Sequence, residues 1–363
     1  MKLLDRHILR ELIGPFFFGV AAFTSIMFAG GELFKITELI AEYNASLLTA
    51  GKLVLLIMPS LVVMTLPMSM LLAALLGFGR LSGDSEVIAL FASGTSLYRI
   101  TIPVIIMSVL VTGGSFVLSE IVAPKATSEY TRIIKSAKSE VTTSRKPMMG
   151  QDLVNGETRS IYYIRGGIDA ARGIARDVVV LQYNANKPFA LIYGKEAVWN
   201  GNDHPNEWLF KDGYMNGLGP GQSFAMPFKH SKVTINKTPD QLELYDKKPD
   251  EMSFSKLREY IAMLQNEGQD DPGLRVRLYQ KISLPLASLV FALIGAPLGL
   301  RPQRSSSAMG LGLSIVIIFA YWVLTHYMSI LGENGTLSPV AASFIPTLGG
   351  IGAGIALIIK AAK

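Results

Sequence analysis

The 363-residue chain is half hydrophobic, carries 17% charged residues against about 25% in an average soluble domain, and contains no cysteine. Those figures exclude disulfides, a thiolate nucleophile and any cysteine-held zinc or iron-sulfur centre, and they point to long segments removed from water. The net charge of +6 does not make a nucleic-acid binder of it, because the basic residues flank apolar runs or alternate with acids and no block of five like charges occurs.

From the N-terminus, Leu3, Leu4, His7, Ile8, Leu12 and Ile13 fall at helical spacing with Asp5, Arg6, Arg10 and Glu11 between them. This amphipathic stretch is expected to anchor the chain at a membrane interface or to meet a partner protein. Three uncharged runs follow, at residues 16–31, 53–79 and 100–119. Each crosses or nearly crosses a hydrocarbon core, which takes ~20 helical residues. Pro59 and Pro67 in the second run, like Pro285 further on, remove backbone donors and predict kinks. Between the second and third runs a short amphipathic helix over about 82–94 is predicted, with Asp84 or Ser85 as its cap, acidic charge in the first turn and Gly94 at its end.

From 123 to 281 the chain turns polar. Runs rich in valine, isoleucine, tyrosine and phenylalanine at 160–165, 175–183, 189–199, 207–214 and 228–235 are separated by glycine, asparagine and proline, which is strand and turn chemistry. An antiparallel sandwich or partly open barrel is predicted. Helices flank it: 124–140 continues out of the third run, and 253–267 opens on Ser253, carries Leu257, Ile261 and Leu264 on one face, and stops at Gly268.

Three more uncharged runs, 282–300, 305–331 and 336–359, complete a three-plus-three arrangement. Placing the N-terminus in the cytoplasm puts Lys2, Arg6, Arg10, Arg80, Arg99, Arg301, Arg304, Lys360 and Lys363 there and leaves only Lys35 and Lys52 in the short outer loops. Both termini are therefore expected inside and the central domain outside. No phosphate loop, H-E-x-x-H, C-x-x-C or G-x-S-x-G pattern occurs, so this chain is expected to be no enzyme and to hold no cofactor or metal. His326 lies in the fifth run beside Tyr321, Thr325 and Tyr327, either as a functional intramembrane group or as a neutral histidine bonded to a neighbouring helix.

Three segments in this order carry a resemblance. They are Leu4-Asp5-Arg6-His7-Ile8-Leu9-Arg10-Glu11, the inner loop Phe78-Gly79-Arg80-Leu81 with Ser85-Glu86-Val87-Ile88-Ala89-Leu90 and Ala92-Ser93-Gly94, and Lys281-Ile282-Ser283-Leu284-Pro285-Leu286 with Gly295-Ala296-Pro297-Leu298-Gly299. Over nearly its whole length the chain resembles the LptF/LptG family, the transmembrane subunits of the lipopolysaccharide-export ABC transporter.

The resemblance implies an α-helical inner-membrane protein with six transmembrane helices and an inserted periplasmic all-β jellyroll, divided as 1–122, 123–275 and 276–363. It implies that the inner-loop helix is a coupling helix, with Glu86 the acidic contact to a cytoplasmic ABC ATPase dimer and Arg80, Ser85, Ala89, Leu90 and Gly94 in the same motif. A second permease subunit, a periplasmic bridge protein and lipopolysaccharide or a related glycolipid are the further partners. Lys35 matches a basic position near the outer end of the first helix, where lipid phosphates sit, although Glu32, Glu38 and Glu42 are placed to satisfy it internally. Glu32, Tyr321 and His326 are the other lipid-contact candidates. Two alternatives stand beside this. One is a lipid- or lipoprotein-releasing permease, whose family places the outer domain after the first of four spans. The other is a membrane scaffold presenting a β-domain.

Overall fold

The structure, a computed structural model, describes residues 3–43, 45–141, 148–154, 157–170, 172–184, 187–201, 204–218, 224–300 and 307–362, with the backbone alone at 138–141 and 307–309. Lys2, Arg301, Arg304 and Lys363 lie outside the described residues. In chain order the helices and strands are α1 (Leu3–Met27), α2 (Leu33–Tyr43), α3 (Leu47–Gly83), α4 (Glu86–Ala92), α5 (Leu97–Val117), α6 (Ala123–Val141), β1 (Met148–Val154), β2 (Glu157–Ile164), β3 (Ile168–Asp169), β4 (Ile174–Asn184), β5 (Lys187–Trp199), β6 (Glu207–Gly217), β7 (Ala225–Thr234), α7 (Pro239–Asp246), α8 (Phe254–Asn266), α9 (Pro272–Gly299), α10 (Ser307–Glu333) and α11 (Pro339–Ala361). They form two compact units, Met1–Ala137 with Asp271–Lys363, and Lys138–Asp270.

The first unit holds six helical stretches long and apolar enough to cross a membrane, three before the central region and three after it. Two continue through a π-helical turn into a further helix, the second along the predicted extension over 124–140 and the first without a predicted counterpart. A π-helical turn at Phe28–Glu32 joins α1 to α2, and another at Leu118–Val122 joins α5 to α6. Continuous helix thus runs through Leu3–Tyr43 and Leu97–Ala137, 41 residues each. At 1.5 Å per residue that is ~60 Å, twice a hydrocarbon core. The excess is stabilised by packing rather than by lipid: Ile36 and Leu39 of α2, Leu53, Ile57 and Leu61 of α3 and Tyr130 of α6 bury one another.

The amphipathic N-terminal stretch is continuous with the first apolar run. It is the first turns of α1, and Ile8 and Leu12 are fully buried against Phe78, Leu81 and Ile100. Helix also continues through Pro59, Pro67 and Pro285. At the centre of the unit α9 packs between α3 and α11 on small residues. A Cβ placed on Gly299 would meet Phe78 Cβ at 2.9 Å and the backbone oxygens of Ala74 and Leu75 at 3.0 and 3.1 Å, so only glycine allows this approach.

In the second unit the strands form one antiparallel sheet in the order β1-β2-β4-β5-β6-β7, with β3 paired to β4. Five of these strands fall on predicted runs. β1 escaped because Met148-Met149-Gly150-Gln151-Asp152 is poor in β-branched residues. One face carries the core: Tyr162, Val180, Ile192 and Met215 stand in register across four strands, with Trp208 and Phe210 fully buried beside them. The sheet is curled, not stacked as two separate layers. Asp152 on β1 accepts a hydrogen bond from the backbone N–H of Asn236, two residues past β7, at 3.0 Å, although β1 and β7 are opposite ends of the sheet order. Of the two predicted forms the partly open barrel fits.

Helices close one end. Ser253 caps α8, whose Leu257, Ile261 and Leu264 are buried, and Gly268 follows it at φ +74°. At that end Glu267, 2% exposed, pairs with Lys237 at 2.9 Å and accepts a hydrogen bond from the Tyr245 hydroxyl. Burial drives the Tyr245 and Tyr162 hydroxyls far above the usual phenol range, so both stay neutral.

Burial also raises the Asp152 carboxyl above the usual carboxylate range, against the opposing pull of the Asn236 N–H, the Ser160 hydroxyl and Lys237. A raised carboxyl stabilises the fold below its unfolded pKa, and that contribution is lost as pH rises through the folded value. Asp152→Asn keeps an acceptor for Asn236 and removes the buried charge. The domain should gain on the order of 1 kcal/mol at pH 7 and nothing near pH 4. Urea melts followed by the buried Trp208, with Trp199 and Trp322 replaced by phenylalanine, measure this; an equal shift at both pH values would refute it.

Candidate functional site

α3 ends at Gly83, and the chain turns at Asp84, whose N–H bonds the Arg80 and Ser82 carbonyls. Ser85 sits at φ 60°, in the left-handed region, and its hydroxyl does not cap the helix that follows. The predicted helix over 82–94 is therefore shorter, Glu86–Ala92, because one end still belongs to α3 and the turn consumes the predicted caps. Its C-terminal end is closed by two bonds, Gly94 N–H to Phe91 O at 2.9 Å and Thr95 N–H to Leu90 O at 3.0 Å, with Gly94 at φ +80°. That pattern needs a left-handed residue, which glycine adopts without strain.

α4 turns Val87 into the core and Ile88, Ala89 and Phe91 outward, with Leu90 packed half-buried against the bundle. Glu86 shares its carboxylate with α1: Oε2 lies 2.8 Å from His7 Nε2. Arg80 reaches Glu11 at 3.3 Å, and Arg99 at the start of α5 reaches Asp5 at 2.6 Å. Arg80, Ser85, Glu86, Ala89, Leu90 and Gly94 thus belong to one small region at the N-terminal end of α1. Sequence reading missed His7, Asp5, Glu11 and Arg99 as its neighbours. His7 and Glu86 are 79 residues apart, and nothing local signals such a pair.

The lipid-contact candidates do not converge. Lys35 Nζ is 2.6 Å from Glu32 Oε1, and the Tyr130 hydroxyl donates to Glu32 Oε2 at 2.7 Å. Glu32 ends the π-helical turn, a form of helix that often marks functional positions. Lys35 keeps 59% of its side chain exposed, so the pair is open to exchange with another anion. Tyr321 is buried, edge-on to Phe291 at 5.0 Å and within 3.3 Å of Thr347 Oγ1. His326 lies five residues further, about 140° around the helix, and is exposed. Tyr321 is a packing residue between α9, α10 and α11, and His326 faces away from it.

A cavity of about 30 Å³ lined by Met64, Pro67, Pro285, Phe291, Tyr321 and Trp322 has room for about one water. A larger one of about 150 Å³ opens at the sheet end beside Asp152, Arg159, Gln182 and Asn236. No group of three or more metal-ligating side chains is found among the described residues.

Residues 6–360 match the family profile of the lipopolysaccharide export system permease LptF/LptG. Two curated relatives, each a lipopolysaccharide export system permease protein LptG, come from Escherichia coli strain K12 and from Escherichia coli O6:H1. Each is 24% identical over 362 residues, covering 95% of this chain and 94% of the relative.

Proposed function

Because the chain belongs to the LptF/LptG family of lipopolysaccharide export system permeases, we propose that it is the membrane half of a motor-driven lipid extractor, coupled to its motor through α4. It is a multi-pass membrane protein and a transport subunit, with six apolar helices and an inserted antiparallel β-domain. In the proposed arrangement it lies in the inner membrane with both termini cytoplasmic. A cytoplasmic ATPase dimer docks on α4, and a second permease subunit completes a cavity open to the outer leaflet. Lipopolysaccharide enters past α1 and α10, and closure of the ATPase expels it into the curled sheet and on to a periplasmic bridge.

The observation that carries this is α4 itself. A seven-residue helix with a single buried residue presents Glu86, Ile88 and Phe91 at the end of the bundle where the basic residues gather. Such a mix of one charge and exposed apolar side chains suits docking into a protein groove. Lys35 is proposed as a phosphate contact that exchanges Glu32 for the lipid.

Purification of the chain from its native membrane, with mass spectrometry of bound lipid and of co-purifying protein, tests the reading. An ATPase and a phosphorylated glycolipid are the expected companions, and absence of both would end it. Photocrosslinking from a probe near Lys35 tests the contact: Lys35→Glu should lower lipopolysaccharide capture about tenfold, the loss of roughly 1.4 kcal/mol. Unchanged capture would remove Lys35 from the lipid path.

A further inference from the structure

We propose that the first turns of α1 strap that helix directly to the coupling region, with His7 the positioning residue for Glu86. This inference rests on the function proposed above, in which α4 receives the push and α1 borders the lipid entrance.

Three ion pairs make the strap, and each reaches a different element. Asp5 meets Arg99 of α5 at 2.6 Å, His7 meets Glu86 of α4 at 2.8 Å, and Glu11 meets Arg80 of α3 at 3.3 Å. Their placement around α1 matters. Ile8 and Leu12, both fully buried, form the ridge that α1 sets into the bundle. At 100° per residue, Asp5 falls on one flank of that ridge while His7 and Glu11 fall together on the other. The helix is gripped from both sides, so a displacement of α3, α4 and α5 tilts or turns it instead of sliding past. Gly77 tightens the grip: a Cβ there would lie 2.8 Å from Leu12 Cδ2 and 3.4 Å from Glu11 O. Beyond Phe16 the seam with α3 continues without charge, through buried Gly19 and through Thr24, whose hydroxyl lies 2.9 Å from that of Thr65, so the ion pairs are confined to the first turns.

Magnitude separates this role from plain stabilisation. The His7 and Glu86 side chains are 46% and 43% exposed, and exposed ion pairs contribute about 0–1 kcal/mol. Such a pair does little for the fold, but it does orient a carboxylate. With His7 on Oε2, Oε1 of Glu86 is left for a docking cation, and among the described residues only His7 reaches this carboxylate. α4 is under two turns long and is held by Val87 and part of Leu90, so an added polar tie governs its attitude.

The test uses the complete transporter, with its ATPase and second permease, in nanodiscs loaded with lipopolysaccharide. Two quantities are read: ATPase retained, and lipid released per ATP hydrolysed. His7→Ala should retain the ATPase at the parental ratio and release about threefold less lipid per ATP, while His7→Gln, which keeps a donor there, recovers most of it. Glu11→Arg should show the same uncoupling, and Glu11→Arg with Arg80→Glu should reverse it. Parental coupling in His7→Ala, glutamine no better than alanine, or loss of the ATPase with His7→Ala would each overturn the proposal. Retention of the ATPase by Glu86→Lys would instead overturn the docking role of α4 itself, which keeps the two failures apart.

Discussion

Glu86→Lys should release the ATPase from the purified complex and stop lipopolysaccharide transfer, while the chain itself still accumulates in the membrane. The expectation follows from where Glu86 stands. It opens α4, its side chain is 43% exposed, and one of its carboxylate oxygens is on His7. Truncating one partner of a desolvated interfacial charge pair costs roughly 2–5 kcal/mol, and reversing its sign adds repulsion against the docking cation. The fold loses little, because an exposed pair with His7 is worth about 1 kcal/mol at most. Glu86→Gln keeps the shape and a hydrogen bond, so it should weaken association by an intermediate amount. Asp84→Lys, two residues earlier and exposed in the turn, is the control for charge alone and should leave the ATPase bound. Pull-down of the ATPase at two salt concentrations reads all three. Equal retention by Glu86→Lys and Asp84→Lys would show that α4 is a connector and not a docking element.

Gly299→Val should be the most damaging single change in the membrane unit. Two of the three atoms nearest a Cβ at this position are backbone carbonyl oxygens of α3, which cannot rotate away as a side-chain tip does. α9 would have to shift from α3, and with it the seam on its other side, where Gly350 and Gly354 of α11 admit Val290 and Leu293. Overpacking of this kind typically costs 1–3 kcal/mol, and the upper half of that range is expected here. Gly352→Val is the matched control, since nothing lies within 4 Å of a Cβ there. Thermal unfolding of the detergent-purified complex compares them. A Gly299→Val protein that melts with the parent would mean that α3 and α9 are not held at this distance.

The six spans were legible because the signal for them is local. Sixteen or more consecutive uncharged residues admit few other readings, and the three-plus-three count alone separated this chain from a four-span permease. The strands of the central domain were legible for the same reason, by composition and turn residues. β1 was not, because its methionines, glycine and aspartate take strand form only by pairing with β2. The extension over 124–140 was legible and is α6, whereas the extension α2 was not, for a related reason. Glu32, Lys35, Glu38 and Glu42 look like the end of a helix, and packing against α3 and Tyr130 overrides that appearance.

At the candidate sites the division is sharper. Glu86 and Gly94 stood out in sequence through the family motif and helix-end chemistry, whereas Ser85 takes the predicted cap position at φ 60° without its hydroxyl bonding the helix. Tyr321 and His326 looked like neighbours in a line of text, but helical geometry sends one into the core and the other out of it. The sequence by itself determined the membrane class, the topology count, the interrupting β-domain and the family. Only the tertiary structure decided which distant polar groups meet: that Tyr130 bonds Glu32, that Asp152 joins the two ends of a curled sheet, and that His7 holds Glu86. The physical reason is range. Hydrophobic runs and turn residues act over a few neighbours in the chain, while ion pairs depend on side chains that only the packing of distant helices brings within 3 Å.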